Sequence, residues 1–427
     1  MPYSFSVDDQ EILQSIQQDI LDKLKKTTED VLTIMYQPQA VFRVRAVTRC
    51  SSALSGHTEA ILDAKFSPNG HQAATASGDT TVRIWDLNTE TPQTTCRGHT
   101  NWVLTISWSP CGRYLASGGM DGLVFVWDAK TGQSLGGSSE PLRGHRKWIT
   151  SLSWEPFHLN PQCHRLASAS KDGTVRVWNV ITRRAEFILS QHTDAVASVK
   201  WSGEGLLYTA SRDKTIRVWE TTQGKLVRVL QGHAHWINTL ALSTEHVLRT
   251  GPFDYTGRRP SNDQEAQADA LKRYNEAKAG NNERLVSGSD DFTLFLWEPA
   301  VSNKPVARMT GHQQLVNDVC FSPDGRWIAS ASFDKSVKLW DGRTGKFIVN
   351  LRGHVQSVYQ VTFSGDSRML LSGSKDSTLK LWDLRTKKLK CDLPGHADEV
   401  YTVDWSPSGE SRVISGGKDK MVRFWRQ

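Results

Sequence analysis

Residues 56–86 read GHTEAILDAKFSPNGHQAATASGDTTVRIWD. The stretch opens on Gly56-His57, sets Asp79 six residues ahead of Trp85 and closes on Trp85-Asp86. Val82 to Trp85 is short, β-branched and flanked by turn residues, which predicts a strand, as does Val175 to Trp178 further on. Ser67-Pro68-Asn69-Gly70 predicts a hairpin turn, since Pro presets φ and Gly takes the positive-φ corner, and Ser322 to Gly325 repeats it. The whole frame recurs. His57, His99, His145, His192, His233, His312, His354 and His396 follow one another at spacings of 42, 46, 47, 41, 79, 42 and 42. Each is followed by an aspartate six residues before a tryptophan: Asp79 and Trp85, Asp121 and Trp127, Asp172 and Trp178, Asp213 and Trp219, Asp291 and Trp297, Asp334 and Trp340, Asp376 and Trp382, Asp419 and Trp425. Eight independent matches to one frame point to a single repetitive architecture rather than several unrelated domains.

A period of about 40 to 45 residues with a Gly-His opening and a Trp-Asp close resembles the WD repeat, one four-stranded propeller blade per unit. The prediction is an all-β, eight-bladed WD40 β-propeller over residues 41–427. In that family the His, a Ser or Thr, the Asp and the Trp indole form a hydrogen-bonded tetrad, so the resemblance implies that these residues hold blades together. A catalytic His–Asp reading competes, but eight copies favour a scaffold. Departures are mild: Gln191 stands where Gly is usual, and Asn179, Glu220, Glu298 and Arg426 replace the final Asp. A ring of blades must close, because an open edge strand invites aggregation. Phe42, Val44 and Ala46 alternate with Arg43 and Arg45, so Val41 to Arg49 is expected to pair as the outer strand of blade eight, beside Met421 to Trp425.

The 79-residue spacing predicts an insertion at about 245–283 within blade five. Asn262 or Asp263 can cap a helix there, with Ala266, Ala270, Leu271 and Tyr274 at helical spacing and an end near Gly280. The expectation is a solvent-facing helix that decorates a loop. Of the tryptophans, eight close repeats, and Trp108, Trp154, Trp201 and Trp405 replace the core Phe seen at Phe66, Phe321 and Phe363. Trp102, Trp148 and Trp236 instead stand three residues after a repeat His, where other blades have Ala, Leu, Ser or Glu. They are candidate partner contacts, as are Tyr359 and Tyr401; packing between blades is the alternative.

With 38% hydrophobic and 23% charged residues, the chain has a globular composition and no apolar run near the ~20 residues that span a bilayer. Asp8, Asp9 and Glu11 stand where a secretory leader would be basic, so an intracellular protein is expected, with no membrane partner. Cys50, Cys96, Cys111, Cys163, Cys320 and Cys391 are scattered and never form CxxC, which predicts buried or idle thiols rather than a zinc site or disulfides. The net charge is +7, and Lys335 to Lys390 holds 12 Lys or Arg against 4 Asp or Glu. Lys335, Lys338, Arg343, Lys346, Lys375, Lys380, Lys387 and Lys388 form a candidate basic stripe for nucleic acid, with an ordinary solvated face as the alternative. Gly345-Lys346 is followed by Phe347 rather than Ser or Thr, and no GxSxG or HExxH motif occurs, so no enzyme, cofactor or small-molecule substrate is expected.

Residues 1–40 leave the repeat. Tyr3 to Val7 reads as a strand, Gln10 to Lys25 as a helix or two short helical pieces with Ile12, Ile16 and Ile20 on one face, and Val31 to Tyr36 as a second strand. Such a module is too short to fold alone. Tyr36 to Arg45 (YQPQAVFRVR), Val47 to Cys50, Asn101 to Leu104, Lys147 to Ser151, Leu242-Ser243 with Leu248 to Gly251, and Ala307 to Gln313 are similar to the Notchless family of large-ribosomal-subunit assembly factors. The resemblance implies that residues 1–40 are part of a ubiquitin-like domain, with Met1 inside it. It also implies a monomeric scaffold in the nucleus and nucleolus, on pre-60S particles, with rRNA and assembly factors as partners. The further partner implied is Midasin, an AAA-type ATPase, whose MIDAS domain holds a Mg²⁺ that Glu29 would ligate in trans; hard cations take oxygen donors. A cytoplasmic Notch-pathway adaptor and a ubiquitin-ligase substrate receptor are the competing functions.

Overall fold

Within each repeat, alternation and β-branching decide the strands. In Thr81–Asp86 the side chains of Val82 and Ile84 are buried while Thr81, Arg83 and Asp86 are only half-buried, the period-2 signature of a strand. The computed structural model describes residues 42–135 and 140–427, and Val44–Gln427 forms one unit. Tyr3 to Val7, Gln10 to Lys25, Val31 to Tyr36 and Glu29 lie outside the described residues. Eight antiparallel sheets follow in chain order, beginning with Ile61–Phe66, Gln72–Ser77, Thr81–Asp86 and Thr91–Arg97 as blade one. Seven sheets have four strands. Among the described residues blade two has three, with Leu142 and Ser134 bridging to Val124 and Trp127 beside them. The first strands of neighbouring blades touch all the way round, and that of blade eight, Val400–Trp405, meets Ile61–Phe66 of blade one. The chain is therefore a closed eight-bladed propeller.

Side chains stitch the innermost strands across each seam. Asp63 accepts from the Ile106 backbone N–H at 3.0 Å, Asp318 from Val361 at 3.1 Å, and Gln360 from Val403 at 2.8 Å. At the seam between blades eight and one, Thr402 and Asp404 accept from Ala64 and Phe66 at 3.0 and 2.7 Å. Burying one strand against the next leaves these N–H groups without a ladder partner, and a short polar side chain supplies it.

The closing strand differs from the expected Val41 to Arg49. It is Arg49–Leu54, paired antiparallel with Val422–Arg426 so that Arg49 opposes Arg426 and Leu54 opposes Val422. The backbone N–H groups of Val44 and Arg45 are instead taken by the Asp366 carboxylate at 2.9 Å and the Ser411 hydroxyl at 2.7 Å. Both stretches alternate, and alternation alone does not say which one the partner strand will meet.

The blade-five insertion carries α1 (Glu245–Thr250) and α2 (Asp263–Lys278). Asn262 caps α2 by accepting from the Gln264 N–H, and Ala279 ends it in the left-handed conformation. The expected solvent-facing decoration is corrected by the packing. Ala266, Ala270 and Tyr274 are buried against blades two, three and four, Tyr274 stacks on His158 at 4.7 Å, and Leu271 points outward. Arg273 of α2 donates to the carbonyls of Gly251 and Phe253 and to the Thr250 hydroxyl, tying the two helices together. From α1, Glu245 pairs with Lys200 of blade four, and Arg249 reaches across the central channel to Asp404 (Nη1–Oδ1 2.8 Å) and the Phe66 carbonyl (3.0 Å). The insertion thus clamps the seam where the ring closes.

Candidate functional site

Antiparallel connectivity puts the loop entering each first strand and the turn between second and third strands at one end of the blade. These carry the repeat His and Asp, so all eight tetrads lie at one end of the ring, here the tetrad face. In every blade the His Nδ1 lies 2.7–3.2 Å from the Asp carboxylate. The His Nε2 lies 2.7–2.9 Å from a hydroxyl, that of Thr75, Ser117, Ser168, Thr209, Ser287, Ser330, Ser372 or Ser415. The Trp indole N–H donates to that same oxygen at 2.7–2.9 Å. An indole can only donate and a carboxylate only accept, so the hydroxyl oxygen takes the indole proton and the carboxylate the Nδ1 proton. Each polar side-chain group of the tetrad thus has a hydrogen-bond partner inside it. Burial opposes ionisation of the aspartates. Hydrogen bonds from the His and from a hydroxyl two residues on outweigh it, holding Asp79, Asp172, Asp213, Asp291, Asp334 and Asp376 well below the usual carboxylate range.

The same turn fixes the three unusual tryptophans. In blades two, three and five the residue before the tetrad Asp donates its N–H to the carbonyl of Trp102, Trp148 or Trp236 at 2.8–2.9 Å. Ala60, Ala195, Leu315, Ser357 and Glu399 make the identical bond in the other blades. The backbone is equivalent; only the side chain differs. Trp102, Trp148 and Trp236 are 47%, 40% and 37% exposed, while the twelve repeat-closing and core tryptophans are all buried. Lys171 lies over the Trp148 ring at 4.1 Å and Arg212 over Trp236 at 4.3 Å. The loops of blades two to five carry Arg146, Lys147, Lys171, Arg212 and Lys214 against Asp194 and Asp290, the tetrad aspartates apart. None of those five cations is ion-paired to a described carboxylate. On the other side of the ring pairing prevails: Lys375 with Glu399 at 3.7 Å, Lys418 with Asp398 at 3.3 Å and Lys420 with Glu59 at 3.4 Å. Tyr359 and Tyr401 sit there too, half-buried, 5.5 Å apart edge to face, with the Tyr359 hydroxyl on Glu399 at 2.8 Å.

The family model described as "WD domain, G-beta repeat" matches residues 48–86, 90–128, 137–179, 184–220, 303–341, 345–383 and 387–426. It passes over blade five, where the insertion stretches the spacing but the His233, Ser287, Asp291 and Trp297 tetrad is intact. A crystal structure of the computationally designed Ika8 protein superimposes with a TM-score of 0.69 at 26% identity, covering 89% of this chain and 100% of that one. The Notchless protein homolog of Arabidopsis thaliana is 64% identical over 82% of this chain and 72% of its own length. The chain belongs to the Notchless family. Ribosome assembly protein 4 of Saccharomyces cerevisiae is 54% identical over 75% of this chain and 63% of its own length, and Protein Notchless of Drosophila melanogaster 53% over 76% and 66%. The chain therefore spans about two thirds of the length of these relatives.

Other candidate residues of this Notchless-family chain are placed apart. Glu29 lies outside the described residues. The basic stripe is not one surface. Lys335 and Lys375 belong to turns at the tetrad face, whereas Arg343, Lys346, Lys387 and Lys388 belong to hairpins at the far end of the same strands, on the order of 20 Å away. Lys338 and Lys380 are buried between them, the first 5.6 Å from the Phe347 ring and the second paired with Asp392. The stripe is contiguous in sequence because hairpins fold consecutive residues to opposite ends. Sequence reasoning missed Lys171 and Arg212, whose signal is their place beside the tetrad Asp, and the Arg249–Asp404 clamp. Among the described residues the cysteines are free thiols, and no group of three or more His, Cys, Asp or Glu is placed to hold a metal.

Proposed function

We propose that this chain is a non-catalytic scaffold of large-ribosomal-subunit assembly, acting in the nucleus and nucleolus on pre-60S particles. The observation that carries the reading is its 54% identity to a protein named Ribosome assembly protein 4 in Saccharomyces cerevisiae, with a second relative of that name, from Chaetomium thermophilum, at 52%. A closed, cross-stitched ring suits the role, since a rigid body can hold protein and rRNA contacts in fixed register while the particle is remodelled. Trp102, Trp148 and Trp236, with Tyr359 and Tyr401, are its anchoring contacts. Residues 1–40 belong to the ubiquitin-like module, and Glu29 supplies the carboxylate oxygen that completes the Mg²⁺ shell in the MIDAS domain of a Midasin-type ATPase.

Affinity purification with sedimentation tests the scaffold half. The tagged chain should co-migrate with large-subunit precursors, and co-migration with a ubiquitin ligase or a Notch receptor instead would sink it. Glu29→Ala tests the link. Association with precursors should persist while ATPase binding falls at least tenfold, and unchanged ATPase affinity rejects Glu29 as the ligand.

A further inference from the structure

We infer that the tetrad face over blades two to five is a platform for single-stranded RNA, on which Trp102, Trp148 and Trp236 stack unpaired bases and the neighbouring cations meet phosphates. The inference rests on the assembly reading for RNA being at hand, and otherwise on the surface alone.

Three indoles are exposed at a position that is Ala, Leu, Ser or Glu in the other blades, so the repeat does not require them. Each projects from a backbone pinned by the bond to the tetrad turn, so the three side chains start from fixed positions on the ring. Trp148 and Trp236 already hold a cation on one ring face, Lys171 and Arg212, and Trp102 lies against Gly78, where an added Cβ would come within 3.4 Å of its ring. The indoles are thus held by neighbours, with His235 a further 5.2 Å contact of Trp236, while 37–47% of each stays exposed. A planar aromatic on a stiff loop with a cation beside it is what a base and its phosphate engage together, and such stacking tolerates any base.

Among the described residues unpaired cations are concentrated here, five against the single Lys335 elsewhere on the tetrad-face turns. The lysines around blade eight are satisfied by Glu59, Asp398 and Glu399, whereas the cations of blades three and four face solvent with no described carboxylate partner. Unpaired cations beside open aromatics favour a polyanion that also carries flat rings. An acidic peptide would neutralise the charge but leave the indoles unused, and duplex RNA, whose bases are already stacked, would leave them unused as well.

The test uses the full chain and a labelled, mixed-sequence single-stranded RNA of about twelve nucleotides, followed by fluorescence anisotropy and by quenching of tryptophan emission. Binding should be salt-dependent, quench the indoles and exceed binding to a duplex of equal length. Trp148→Ala should weaken it about tenfold, near the value expected for one stacked base. The Trp102→Ala, Trp148→Ala, Trp236→Ala triple variant should lose it while still melting cooperatively, since none of the three side chains belongs to the buried core. Lys171→Gln with Arg212→Gln should flatten the salt dependence, and Lys375→Gln, whose lysine is already paired, should not. Equal binding by a melt-competent triple variant, or preference for duplex RNA or a polyglutamate peptide, would overturn the inference. Oligonucleotide binding without precursor co-migration would remove the assembly reading and leave the platform standing; co-migration without oligonucleotide binding would do the reverse.

Discussion

At the scale of one residue, Asp172 shows what the repeat demands. Its carboxylate takes the His145 ring at 3.0 Å, the Arg146 N–H at 2.9 Å and the Thr174 N–H at 2.9 Å, joining the loop before one strand to the turn between two others. Replacing it with Ala strands the His145 proton in a buried site, so Asp172→Ala should lower unfolding free energy by about 1–3 kcal/mol, read as a shift in the urea midpoint. Trp178→Phe keeps the ring but removes the donor to Ser168, and should cost about 1 kcal/mol. The effect of Asp172 also has a pH signature. Its folded pKa lies below the unfolded value of about 3.9, so its contribution is complete above that value and drains as pH falls through the folded pKa. The gap between wild type and Asp172→Ala should therefore shrink as the pH falls from about 4 toward 3; a gap that holds constant over that interval contradicts the assignment. The His, Asp and Trp of each blade are legible in sequence because their chemistry forbids substitution by bulk alone. The hydroxyl between them is less so, since Ser and Thr recur throughout every strand.

At the scale of an element, α2 separates what periodicity reveals from what it hides. Ala266, Ala270, Leu271 and Tyr274 announce a helix, and Asn262 its start, yet three of the four are buried and Leu271 is 45% exposed. Small alanines mark the buried side because the helix lies close on the blades, a fact that hydrophobicity inverts. Ala270→Asp should cost about 2 kcal/mol or more, since it places a larger, uncompensated charge in a filled space. Leu271→Asp should stay within about 0.5 kcal/mol. Thermal melts of the pair decide the register, and equal losses would mean that the helix packs another way. Arg49–Leu54 gives the same lesson for a strand: its alternating half-burial is shared by the preceding stretch, and only the edge it meets selects it.

At the scale of the whole molecule, the question is how eight blades close without a covalent link. The outer edge closes through Arg49–Leu54 on Val422–Arg426, and the inner edge through Thr402 and Asp404 on blade one. Arg249 reinforces the inner seam from blade five, with the Asp404 side chain 3% exposed and its own 28%. Arg249→Ala should destabilise the ring by about 2 kcal/mol, below the full cost of breaking a buried pair because the guanidinium keeps some solvent. Hydrogen exchange should then quicken in Ile61–Phe66 and Val400–Trp405 ahead of other blades, and uniform exchange would show that the clamp is not at the seam. In the Arg249→Ala background, Asp404→Asn should recover part of the loss by removing the stranded charge.

Read alone, the chain determined its number of blades, the tetrad residues, the place of the insertion and the three aromatics that no blade needs, because each follows from spacing or from a residue type the repeat cannot explain. The tertiary structure decided which alternating stretch closes the ring, that the insertion grips the channel, and which cations stay unpaired. Those depend on what two surfaces far apart in sequence offer each other. Register, burial and charge compensation are properties of pairs, and a one-dimensional pattern holds only one member of each.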